Sequence, residues 1–218
     1  MRAPGPSRQS LPIDDDRTYR ATVGSQTVEL PVVQVAEGLS IALLICVDFG
    51  VTFSERAGHE LASLLADDEP EVVVSVATMG IPLAIEVTRA LALDDYVILH
   101  KTPKIHLGET WAEPVRSITT GSEQRLRLDP ARVDAVRGRR VAVVDDVIST
   151  GASLGAALRL LRRVGAEPVV VGAFLTEGQV WRGALGVDSS MVRSLGQIPL
   201  FRHRPDGSVV EDWGDGPG

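Results

Sequence analysis

The 218 residues suffice for one α/β domain with a sizeable buried core, and 44% hydrophobic with 23% charged residues is the composition of a globular protein. A net charge of −7 argues against general nucleic-acid binding, and no apolar run reaches the ~18 residues that span a bilayer. Met1 to Ser7 lack the apolar centre of a signal peptide, and the single cysteine, Cys46, lies in an apolar run and reads as a buried thiol, so the expected location is the cytoplasm.

Residues 1–16 are rich in Pro, Ser and charge and predict a disordered tail ahead of one domain over 17–218. Tyr19, Ala21 and Val23, then Val28, Leu30 and Val32, alternate about Gly24-Ser25-Gln26 and predict a β-hairpin. Leu39 to Val47 fits strand or helix. Thr52-Phe53-Ser54-Glu55 has the spacing of a capping box, with Leu61, Leu64 and Leu65 giving the next helix its apolar face as far as Asp67-Asp68. Val72 to Val76 is a continuous β-branched run, as for a strand covered on both faces. The loop Ala77-Thr78-Met79-Gly80 then opens a helix to about Leu93, with Pro82 in its first turn.

Tyr96 to Leu99 predicts another strand. Residues 101–125 keep no sustained period and read as a long functional lid. Val141 to Val144 is again strand-like, and the helix after Gly151 has Leu154, Leu158 and Leu161 on one face and ends at Gly165. Pro168 to Leu175 is a further strand, and Ile198–Phe201 with Val209-Val210 predict a terminal hairpin about Pro205-Asp206-Gly207. No internal repeat is present. This order implies an α/β fold: a mainly parallel twisted sheet with helices on both faces.

The organising stretch is Val141 to Ser153. An apolar strand ends in Asp145 and Asp146, and small residues Ser149-Thr150-Gly151-Ala152-Ser153 lead into a helix. Backbone amides and hydroxyls at a helix N-terminus hold a phosphate, and Gly151 lets the backbone close around it. The paired carboxylates can accept hydrogen bonds from sugar hydroxyls or help hold a divalent cation. Together these describe a ribose 5-phosphate site.

This stretch resembles the signature of the type I phosphoribosyltransferases, which bind 5-phosphoribosyl 1-pyrophosphate (PRPP). Ala152 and Ser153 stand where that family usually has Gly and Thr. The resemblance covers roughly residues 70–178 and implies a core over about 48–178, with a small hood built from about 17–47 and 179–213. It also implies that Ala77, Thr78, Met79 and Gly80 form a pyrophosphate loop. Lys101 and Lys104 match the K-x-x-K of the family's basic loop, and His106 adds the histidine of orotate-type enzymes; His100 replaces a usual Arg. Glu109 is a substitute candidate for the acidic residue that adenine enzymes carry further along the lid.

The implied reaction is attack of a nitrogenous base on the anomeric carbon of PRPP, with pyrophosphate leaving and Mg2+ as cofactor. Asp145, Asp146, Lys104 and Glu109 are then the catalytic candidates. Residues 149–153 take the 5-phosphate, and residues 77–80 with Lys101, Lys104 and His106 take the pyrophosphate. Any metal contact would come from Asp145 and Asp146, mostly through substrate. A purine is the expected acceptor; orotate or a specialised base is the runner-up. A PRPP-sensing regulator without catalysis is the alternative outside enzymes. The partners are thus PRPP and a base, with no nucleic acid and no membrane, and family members are commonly homodimers. Phe49, Phe53, Trp111 and Trp181 are possible stacking residues for which core packing is the preferred role.

Overall fold

The fold is that of a computed structural model covering residues 13–102, 111–115, 124–206 and 208–214, with the side chains of 13–16 left aside. The elements run β1 (Ile13–Val23), β2 (Gln26–Ala36), β3 (Leu39–Ala42), α1 (Gly50–Leu65), β4 (Val72–Val76), α2 (Gly80–Ala90), β5 (Tyr96–Leu99), β6 (Trp111–Val115) and β7 (Gln124–Leu128). They continue with β8 (Arg140–Ile148), α3 (Ala152–Arg163), β9 (Glu167–Glu177), α4 (Val180–Leu185), β10 (Val192–Ile198), β11 (Leu200–His203) and β12 (Val209–Asp212).

Five parallel strands in the order β10-β9-β8-β4-β5 form the central sheet. Its inner strands β9, β8 and β4 are apolar through their middles because both faces are covered. Val73, Ala142, Val144, Val170 and Phe174 pack in one core with Leu61 and Leu65 of α1 and Leu83 and Val87 of α2. The alternate residues Val72, Val74, Val141, Val143 and Val171 share the other core with Leu154, Leu158 and Leu161 of α3. Gly172 marks the closest approach of α1 to β9: a Cβ there would lie 3.0 Å from Leu65 Cδ1 and 3.1 Å from Leu61 Cδ2. Truncating fully buried Leu61 to Ala would cost about 2–5 kcal/mol. At the end of α3, the Gly165 N–H donates to Arg162 O and the Ala166 N–H to Leu161 O, a Schellman close with Gly165 at φ +84°.

A second sheet, β1-β2-β3-β11-β12, is antiparallel and joins both ends of the described chain. The β1–β2 turn pins it to the central layer. Glu60 of α1 accepts hydrogen bonds from the Ser25 N–H (2.8 Å) and the Ser25 hydroxyl, and the Gly24 N–H donates to Leu195 O.

Several local expectations change. Strand β1 begins at Ile13, within the stretch read as a tail; residues 1–12 lie outside the described residues. The Thr52–Glu55 capping box is not used, because a 3-10 turn over Cys46–Phe49 feeds α1 directly at Gly50. Thr52 to Glu55 therefore fall inside the helix, where the Ser54 hydroxyl donates back to Gly50 O. The ambiguous stretch Leu39–Val47 divides into β3 and the start of that turn. Within 101–125, β6 pairs antiparallel with β7, so the segment is not structureless throughout. Ile198–Phe201 spans two strands: Ile198 ends parallel β10 and Leu200 begins β11. Gly207 of the expected turn lies outside the described residues.

Candidate active site

Strands β4 and β8 are parallel neighbours, so the loops leaving their carboxyl ends stand side by side. The first loop runs from Ala77 to the start of α2 at Gly80; the Ala77 N–H donates to Leu99 O, and the Ala77–Thr78 peptide is cis. In the second, β8 continues past Val144 and carries both aspartates on an extended backbone. Gly151 then turns the chain at φ +76°, and α3 begins at Ala152. Ala152 thus has helical angles, which a residue with a Cβ adopts freely. Behind Gly151 stands Trp181 of α4: a Cβ on Gly151 would lie 3.3 Å from three Trp181 atoms. Trp181 is buried and donates its indole N–H to Gly178 O, so it backs the loop.

Both loops line one cavity of about 250 Å³, Ala77, Thr78 and Met79 from the first and Ser149 to Ser153 from the second, together with Asp145 and Asp146 of β8 and Lys101, which follows β5. Burial, and then the adjacent Asp146, push the Asp145 carboxyl well above the usual carboxylate range; the Asp146 N–H (3.1 Å to Asp145 Oδ1) and Lys101 act the other way. Cys46 lies behind the first loop, its thiol donating to Met79 O at 3.1 Å. Burial, and then the charge of Asp146, push that thiol up to about 11.

Beside this cavity a wider cleft of about 1130 Å³ opens between the two sheets. Its walls are mostly apolar, including Leu39, Ile41, Leu43, Leu44, Val180 and Leu200. Asp146, Val147 and Ser149 to Ala152 line both spaces, so they are continuous along the second loop. The arrangement can hold an anion at each of two backbone loops, sugar hydroxyls between them, and a flat apolar group in the cleft.

Residues 54–184 match the family model for the phosphoribosyl transferase domain. The chain belongs to that family. It is 34% identical over 115 residues to a hypoxanthine/guanine phosphoribosyltransferase of Methanococcus vannielii, covering 53% of this chain and 58% of the relative. It is 28% identical over 144 residues to a xanthine phosphoribosyltransferase of Brevibacillus brevis, covering 66% and 72%. The chain thus spans little more than half the length of the hypoxanthine/guanine relatives it matches. In fold it resembles the adenine phosphoribosyltransferase of Rhodothermus marinus, with a TM-score of 0.62 at 21% identity over 84% of this chain and 96% of that one.

Of the residues singled out in the sequence, Ala77, Thr78, Met79, Lys101, Asp145, Asp146 and Ser149 to Ser153 line the small cavity. Gly80 sits just beneath it, against Ser75 and Asp145. Lys104, His106 and Glu109 lie outside the described residues. Phe53 and Trp181 are core, Phe49 packs on Phe53 at a centroid distance of 5.1 Å, and Trp111 is partly exposed beside Arg163.

Two residues of the site escaped sequence reading. Glu177 ends an apolar strand, where a carboxylate ordinarily meets solvent, yet it is 4% exposed and accepts the Ser149 hydroxyl at 2.5 Å. Arg159 reads as part of a solvated helix face, yet it lines the cleft and pairs with Glu113 of β6 at 2.8 Å. No local pattern marks either, because their partners lie 28 and 46 residues away.

Proposed function

We propose that this chain transfers the 5-phosphoribosyl group of PRPP to a purine-type base, releasing pyrophosphate. The observation that carries the reading is the one cavity that two strand-to-helix loops line together with Asp145, Asp146 and Lys101. One loop suits a monophosphate; two facing loops suit a sugar phosphorylated at both ends. Ser149 to Ser153 take the 5-phosphate through backbone amides and the hydroxyls of Thr150 and Ser153. Asp145 and Asp146 accept the ribose hydroxyls, for which their placement at the strand end between the loops is suited. Ala77 to Gly80, Lys101 and, by resemblance, Lys104 and His106 hold the pyrophosphate.

The base occupies the apolar cleft, within reach of the anomeric carbon where the two spaces join at Val147 and Ser149. Rate then comes from fixed orientation and from charge placed against the departing pyrophosphate. Mg2+ fits as the cofactor on one condition. Among the described residues no group of three His, Cys, Asp or Glu stands together, so Asp145 and Asp146 would hold the ion with substrate oxygens and water completing its shell. When bound, it neutralises charge on the leaving group.

A purine acceptor is supported by the relatives' names, which include hypoxanthine/guanine and xanthine enzymes. The test is a thermal-shift and pyrophosphate-release screen with PRPP and Mg2+ across adenine, hypoxanthine, guanine, xanthine and orotate. Release with a purine supports the reading. Release with orotate alone replaces the acceptor, and stabilisation by PRPP without release with any base favours a sensing role.

A further inference from the structure

Ser149 is the one hydroxyl that lines both spaces and also reaches a buried carboxylate. Its hydroxyl donates to Glu177 Oε2 at 2.5 Å, leaving the oxygen lone pairs free to accept from the cleft. Glu177, 4% exposed, borders that cleft at the end of β9. In the transfer reaction a ring nitrogen exchanges its N–H bond for a bond to carbon, so a proton has to leave the base at the junction of the two spaces.

We propose that Ser149 and Glu177 are the proton-accepting pair of this reaction, Ser149 receiving the proton of the attacking nitrogen while its own hydroxyl proton passes to Glu177. The proposal rests on the transferase reading given above. The balance closes without a further reactant. The nitrogen–hydrogen bond breaks and its electron pair forms the bond to the anomeric carbon. A new O–H bond forms at Ser149 as the old one breaks, and an O–H bond forms at Glu177 Oε2. The anomeric carbon–oxygen bond breaks with its electron pair leaving on pyrophosphate. Ser149 touches the substrate; Glu177 acts through it.

The surroundings suit the role. Burial raises the Glu177 carboxyl, which makes it a better proton acceptor than an exposed carboxylate, and the Ser149 bond lowers it again in part. The charged side chains sharing the cleft are Asp146 from β8, Arg159 from α3 and Arg202 from β11, while α4 contributes the apolar Val180 and Ala184. Glu177 must be ionised to accept, so turnover falls as pH drops through its raised pKa.

The test is the pH profile of kcat for wild type, Glu177→Gln, Ser149→Ala and the double variant. The substrates are PRPP, Mg2+ and whichever of adenine, hypoxanthine, guanine or xanthine turns over fastest. PRPP binding and Tm are measured alongside. The expected result is that each single variant lowers kcat by about tenfold or more and flattens the acid limb. Donor affinity should stay within about twofold, and the double variant should be no worse than the singles. An unchanged acid limb in Glu177→Gln, or loss of kcat only in step with donor binding and Tm, would overturn the pair and leave the transferase standing. A wild type that turns over no base would overturn both. Should Glu177→Gln fail to fold, the profile of Ser149→Ala decides alone, since it leaves the buried carboxyl in place.

Discussion

Gly80 and Ser75 are in contact across the floor of the site: a Cβ on Gly80 would lie 2.1 Å from Ser75 Oγ and 3.0 Å from Asp145 Oδ1. The first turn of α2 therefore rests on β4 and on the first aspartate of β8 at once. Ser75 Oγ is buried and has no hydrogen-bond partner among the described residues. Gly80→Ala must displace the Ser75 hydroxyl or shift the first turn of α2. The expected outcome is a loss of about 1–3 kcal/mol in urea unfolding and a fall in PRPP affinity of at least about tenfold by calorimetry. Unchanged affinity would mean that the first loop does not touch the donor.

Asp146 lines both the small cavity and the cleft, the spaces proposed above for the sugar and the base. Asp146→Asn keeps the shape and removes the charge. Turnover should fall by at least about tenfold, or ~1.4 kcal/mol of transition-state stabilisation. Steady-state kinetics of the purified variant check it, and wild-type kinetics would remove Asp146 from the site.

Cys46 is fully buried behind Met79, and its thiol is pushed up to about 11 by burial first and Asp146 second. The thiolate is the reactive form. The native protein should therefore resist iodoacetamide at pH 8 and label readily in urea. Fast native labelling would show that the first loop opens away from Cys46.

Glu113 of β6 bridges Arg159 and Arg163 of α3 at 2.8 Å each and so fastens the β6–β7 ribbon to the helix that starts at the second loop. The hydrogen bond from Arg159, together with that from Arg163, holds its carboxyl below the usual range. The folded pKa lies below the unfolded one, so the stabilisation is complete above the unfolded pKa and is lost as pH falls through the folded one. Both guanidinium groups are about half exposed, so solvent reduces the gain. Glu113→Gln should be less stable than wild type by about 1 kcal/mol at pH 7, and the gap should close as acid protonates the Glu113 carboxyl. A gap that persists unchanged at every acid pH at which both proteins still fold would assign the effect to packing.

The two loops were legible because each announces itself locally: a β-branched run, small residues, then a helical period. Val72–Gly80 and Val141–Ser153 need no distant partner to be read. The hood-side sheet was only partly legible. Its hairpin β1–β2 shows in the alternation from Tyr19 to Val32, but β11 reaches β3 across some 160 residues, which no local pattern carries. Strand β10 was missed because its residues are only half buried and its Arg193, Ser194, Gly196 and Gln197 break any apolar run. Glu177 was invisible for the opposite reason. Its neighbours promise a strand end in water, yet it is 4% exposed and bonded to Ser149 of the second loop.

The proposed transfer needs one cavity to take a sugar phosphorylated at both ends and the adjoining cleft to hold the base. The most direct measurement is product analysis by mass spectrometry after incubating the protein with PRPP, Mg2+ and each of adenine, hypoxanthine, guanine and xanthine. The account predicts a nucleoside 5-monophosphate from at least one purine, formed in one-to-one ratio with pyrophosphate and lost in Asp146→Asn. Pyrophosphate without nucleotide, or no product from any purine, would contradict it.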